Sequence, residues 1–144
     1  MDEPLRRTMT IAAPPERVAA IVADFDSYPK WQKEVVSIQV VERDERDRAR
    51  HVRMRTEAMG MQTTTEIAVD YDTDKIEYHL VKGDMTTQQD ALYVFNPNQT
   101  GGTDLELEMA IGLKWNLPPF MIKQLVTKGI NDNLKAIKRL AEAG

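Results

Sequence analysis

The polar and apolar positions of this chain change period twice. From Leu5 to Ala13, Met9 and Ile11 alternate with Thr8 and Thr10, the period of a strand. Pro14-Pro15-Glu16 then opens a helix, since proline fits a first turn. Val18, Ile21, Val22 and Phe25 follow at helical spacing as its buried stripe. Tyr28-Pro29-Lys30-Trp31 predicts a short second helical turn or a tight corner. From there the period is two. Val36, Ile38 and Val40 alternate with Ser37, Gln39 and Val41. Val52, Met54 and Thr56 make the next face, then Thr63, Thr65, Ile67, Val69 and Tyr71, then Ile76, Tyr78 and Leu80. Met85, Thr87, Gln89, Ala91, Tyr93 and Phe95 share one phase, as do Leu105, Leu107, Met109 and Ile111.

The breaks between these runs are turn signals: the charged stretch 42–48, Gly60, 72–74, Lys82-Gly83-Asp84 and, strongest, Asn96 to Gly102. Seven strands are expected, six of them in consecutive hairpins, so the sheet is expected to be antiparallel. Arg53, Arg55, Glu66, Glu77, Glu106 and Glu108 supply a wet face. The other face needs a cover. Only the helix expected over about residues 119–142 is long enough, at roughly 35 Å. Its stripe is Met121/Ile122, Leu125, Ile130, Ile137 and Leu140. Gly129 lies mid-helix at a cost of about 1 kcal/mol relative to alanine, which a close approach to the sheet or to a ligand would explain.

With 144 residues the chain is expected to form one domain over 1–144, large enough for a core without disulfides or metals. The absence of cysteine excludes thiolate chemistry and cysteine-ligated zinc, and fits a reducing, cytoplasmic setting. No apolar run approaches the roughly 20 residues of a membrane span, and the first residues lack the apolar segment of a signal peptide. The formal net charge of −4, with both signs mixed along the chain, argues against a nucleic-acid partner. Eight methionines point to adaptable apolar surface.

Several motifs lack the residues that their usual sites require. Asp70-Tyr-Asp-Thr-Asp74 has the spacing of a calcium loop, but Lys75 and Val81 stand where glycine and glutamate are needed, so it reads as an acidic turn. His51 and His79 lie in the outward phase and lack zinc-site spacing; no metal is expected. Ser27 and Ser37 are the only serines, and neither sits in a nucleophile elbow.

Quoted together, Ile11-Ala-Ala-Pro-Pro-Glu-Arg-Val18, Phe25-Asp-Ser-Tyr-Pro-Lys-Trp31, Tyr93-Val-Phe95, Gly101-Gly-Thr103, Leu117-Pro-Pro119 and Leu134-Lys-Ala-Ile-Lys-Arg-Leu140 carry a resemblance. The chain resembles the polyketide cyclase/dehydrase family of the START-like, Bet v 1-like superfamily, in particular its small single-domain actinobacterial members. The resemblance implies an α+β helix-grip fold, a seven-stranded antiparallel sheet wrapped around a long C-terminal helix. It also implies a cavity. The family includes lipid carriers, quinone-binding proteins and aromatase/cyclases, so its motifs indicate fold more than activity.

The inward face suits a pocket better than a dry core, which prefers Leu, Ile and Val. Met54, Tyr78, Met85, Gln89, Tyr93, Phe95 and Met109 are the expected ligand contacts from the sheet. Trp115, Phe120, Met121 and Leu125 are those from the final helix and its approach. Gln89 should point under the helix, where its amide needs a partner: Tyr78, Thr87 or a ligand. The turns around Gly60 and Gly83 are candidate entrance loops. No inward strand position supplies an obvious base, and a tyrosine of pKa about 10 is a poor one. The expected function is therefore binding or transport of a small hydrophobic ligand (a lipid, fatty acid, isoprenoid, quinone or polyketide-like aromatic), without a cofactor, as a monomer or homodimer. A polyketide cyclase/dehydratase and a protein-interaction module are the alternatives.

Overall fold

A computed structural model describes residues 4–58, 60–114 and 116–143. Strand β1 (Leu5–Ile11) is followed by helix α1 (Pro15–Ala23), a single 3₁₀ turn (Phe25–Ser27) and the short helix α2 (Tyr28–Trp31). Six strands come next: β2 (Val35–Arg43), β3 (Ala49–Ala58), β4 (Met61–Tyr71), β5 (Lys75–Gly83), β6 (Thr86–Pro97) and β7 (Thr103–Leu113). Helix α3 (Pro119–Ala143) closes the chain. The strands form one antiparallel sheet in the order β1-β7-β6-β5-β4-β3-β2. The helix-grip architecture expected from the sequence is present.

Only β1 leaves the hairpin series. It pairs with β7, so β1 and β2 are opposite edges and α1 and α2 cross from one to the other. The crossing is pinned by buried aromatics. Phe25 and Tyr28 stack at 4.7 Å, and the Tyr28 hydroxyl donates to the Val22 carbonyl at 2.6 Å. Gly102 lets β1 close on the last hairpin, because a Cβ there would collide with the Ile11 carbonyl. The buried Thr103 hydroxyl adds a bond to the Ala13 carbonyl at 2.8 Å.

The two halves of α3 differ. Ile130, Asn133, Leu134, Ala136, Ile137 and Ala141 are buried, whereas nothing from Pro119 to Gly129 is. The C-terminal end is also tied by polar bonds: Arg17 Nε to the Ala141 carbonyl at 2.6 Å, the Ala12 N–H to Glu142 at 2.9 Å, and Lys138 to the Thr10 carbonyl at 3.1 Å. Leu140, expected in the stripe, is exposed.

Irregular pairing re-aims parts of the sheet. Shifts on either side of β2 leave Val36 51% exposed and Val41 outside, while Val35 turns inward. Bulges add one residue and reverse the phase beyond them, which a period-two count cannot register.

On the outer face, Glu66 is buried among His51 at 2.8 Å, Arg53 at 3.2 Å and Lys82 at 3.4 Å. The hydrogen bond from His51 holds the carboxyl below its usual range; burial opposes this, and Arg53 and Lys82 reinforce it. The folded-state pKa is thus below the unfolded one. The cluster's stabilisation is complete above the ordinary glutamate value of about 4.3 and is lost as pH falls through the lowered value. Urea midpoints of Glu66→Gln are expected to fall less than those of the native chain between about pH 6 and 3. Parallel acid limbs for the two proteins would contradict this.

Candidate ligand cavity

At the end of the sheet away from α1, the concave face and the N-terminal half of α3 stand partly apart, with Val126 packed against the core. A cavity of about 330 Å³ lies between them. Strand β3 contributes Met54 and Thr56, β4 contributes Thr63 and Thr65, β5 contributes Tyr78, and β6 contributes Thr86 and Gln89. Met109, Ile111 and Leu113 of β7 complete the floor. The roof is Leu125, Val126, Gly129, Ile130 and Asn133, the spacing of one helix face. Gln32, Glu34 and Val35 close the side before β2, and Lys128 and Asp132 stand at the rim.

Of the contacts expected from sequence, Met54, Tyr78, Gln89, Met109 and Leu125 line this cavity. Others lie elsewhere. Tyr93 and Phe95 are buried but pair with Leu107 and Leu105, toward the end of the sheet that α1 and the C-terminal half of α3 cover. Met85 is half-buried in the turn before β6 and outside the lining. The register shift between Thr86 and Gln88 explains it. Both Thr86 and Gln89 face inward across an odd spacing, and Met85 falls out of phase. The same bulge puts Thr87 outside, so it does not serve Gln89. Phe120 is 63% exposed on the first turn of α3, and Met121, half-buried, lies outside the lining of this cavity. Trp115 and Met59 lie outside the described residues.

Burial raises the Tyr78 pKa to about 12, which keeps its hydroxyl protonated, and Gln89 and Tyr93 nearby pull it partly back. Burial, then Tyr78, pushes Tyr93 well above its ordinary value. Thr63 and Thr86 share a hydroxyl contact at 3.4 Å. Gln32 and Asn133 are each 7% exposed, yet neither side chain hydrogen-bonds another described residue. A buried amide normally has a hydrogen-bond partner, in the protein or in ordered water.

Sequence reasoning missed Thr86, Gln32, Glu34 and Asn133. Gln32 and Glu34 come from an irregular segment without a period. Asn133 interrupts an apolar stripe, which was the available signal. The expectation of no base on the inward strand face stands beside carboxylates that arrive from elsewhere, Glu34 from the segment before β2 and Asp132 from α3. Asp132 is paired with Lys128 at 2.6 Å.

One mixed cluster lies on the outer face. Ligand atoms of Asp70, Glu77 and His79 fall within 4.8 Å of one another. His79 Nδ1 meets Asp90 at 2.9 Å, and that bond, opposed by burial and aided by Glu77 and Asp70, raises the His79 pKa. When protonated, the imidazole offsets part of the charge of the carboxylates around it. Asp70 and Tyr71 end β4, and the chain turns at 72–74, closed by the Asp72 N–H on the Lys75 carbonyl.

A family profile described as "Polyketide cyclase / dehydrase and lipid transport" matches residues 4–142. The chain belongs to this family. A START superfamily protein from Mycobacterium smegmatis superposes with a TM-score of 0.88 at 26% identity, over 99% of each chain. A protein from Thermus thermophilus gives 0.80 at 25% identity, over 97% of each. The Zhui aromatase/cyclase from Streptomyces sp. R1128 gives 0.84 at 19% identity, over 96% of this chain and 93% of that one, a likeness of fold. No curated protein matches the sequence significantly. Among the described residues, no helix is long and apolar enough to cross a membrane.

Proposed function

We propose that this member of the polyketide cyclase/dehydrase and lipid transport family is a one-domain cytoplasmic binder of a small, largely apolar molecule, held in the cavity under α3. Gly129 carries the reading. It costs the helix about 1 kcal/mol relative to alanine. Its helical backbone does not require glycine, and a Cβ there would meet nothing within 4 Å. Close approach to the sheet is therefore not its reason, and its place in the cavity lining supports space kept for a ligand. Met54, Met109 and Leu125 would supply apolar contact, at about 25 cal/mol per Å² buried. Tyr78, Gln89, Gln32 and Asn133 would orient oxygens of the ligand.

Native mass spectrometry of the purified protein, followed by extraction, tests this. A bound lipid or aromatic is the expected result. An apo mass that persists after incubation with lipid and aromatic mixtures would remove the carrier reading. Gln89→Leu is expected to keep its melting temperature within a few degrees and to change which compound is retained. An unfolded Gln89→Leu variant would make that side chain structural instead.

A cyclase or dehydratase is the second reading, favoured by one observation: Glu34 and the proton-bearing Tyr78 line the same cavity. It expects turnover of a polyketide-like substrate that Glu34→Gln abolishes without loss of binding.

A further inference from the structure

The N-terminal half of α3 has a hollow on each side. Besides the inner cavity, a second hollow of about 600 Å³ opens beside the start of β1 and the end of β7. The two share Met109, Ile111, Leu113 and Val126 as walls. Val126, half-buried on α3 and packed against the core, stands in the wall they share. The inner cavity carries four threonines, Tyr78 and the buried amides among its apolar side chains. The second is bounded by Leu5, Leu113, Pro119, Phe120 and Ile122, with Thr87 and Lys123 also in its lining.

Resting on the ligand-binding reading above, we propose that the second hollow is a subsite for the apolar end of the same ligand. The ligand class is then a two-part molecule. A compact, uncharged, oxygen-bearing head lies under α3, and an alkyl or aryl arm passes Val126 toward Phe120.

Three observations support it. The inner cavity, about 330 Å³, lies at the small end of the range of ligand pockets. An anionic head is disfavoured, because Lys128 is already paired with Asp132 and Glu34 adds a negative charge. Phe120 is 63% exposed beside Ile122 and Leu5, an apolar surface that an arm would cover.

The test is calorimetric titration with neutral para-hydroxyphenyl alkyl ketones, from para-hydroxyacetophenone to para-hydroxyoctanophenone. Affinity is expected to rise about fourfold per methylene over the first additions. Ile122→Trp, whose position borders the second hollow alone, is expected to abolish that rise and leave para-hydroxyacetophenone within about threefold of native. On the native protein, the terminal methyl of para-hydroxyoctanophenone should give NMR contacts to Phe120 and Leu5. Flat affinity along the series, or equal gains in Ile122→Trp, would overturn the subsite and leave the cavity reading standing. Terminal-methyl contacts elsewhere would do the same. If no member binds, para-hydroxyacetophenone included, both fall.

Discussion

Ile137→Ala is expected to lower the free energy of unfolding by roughly 2–5 kcal/mol, whereas Leu125→Ala on the same helix should cost about 1 kcal/mol or less. The side chains are similar in volume; their surroundings differ. Ile137 is fully buried in the core, beneath the end of α3 that Arg17, Lys138 and Glu142 bond to β1 and α1. Truncating it leaves a void that this anchored end cannot collapse around. Leu125 is half-buried and already borders the cavity, so truncation enlarges an existing space. Urea unfolding of both variants measures the contrast. Equal losses would mean that the N-terminal half of α3 contributes as much to stability as its C-terminal half.

Substitution of Gly129 should separate stability from binding. Gly129→Ala is expected to raise stability by about 1 kcal/mol, since the methyl removes glycine's helical penalty and meets no neighbour. Gly129→Phe places a ring in the cavity from the centre of its roof. It should weaken binding of any inner-cavity ligand by more than about tenfold, or 1.4 kcal/mol, without unfolding the chain. Thermal melts and titration with para-hydroxyacetophenone read the two effects. A destabilised Gly129→Ala variant, or a Gly129→Phe variant with native affinity, would contradict the role given to this glycine.

Legibility from sequence varied with the kind of residue. Tyr78 and Gln89 were found because each shares a phase with apolar neighbours, and that phase also sets where the side chain points. Met85 was misplaced by the bulge between Thr86 and Gln88. Tyr93 and Phe95 have the inward phase, yet phase does not say which stretch of a sheet a helix covers closely. Asn133 is not legible because the period of an apolar stripe is carried by its aliphatic members.

The amino-acid sequence by itself determined the element order, the antiparallel hairpins, the long closing helix and the family. Those depend on local period, turn residues and motifs that act over a few positions. Tertiary structure alone decided where the sheet and α3 part, that Gly129 faces open space, and that Gln32, Glu34 and Asn133 meet Tyr78 around one cavity. It also set the second hollow beyond Val126. These features arise from how anchored ends and bulges set the gap between a helix and a twisted sheet, a long-range geometry that no local pattern encodes.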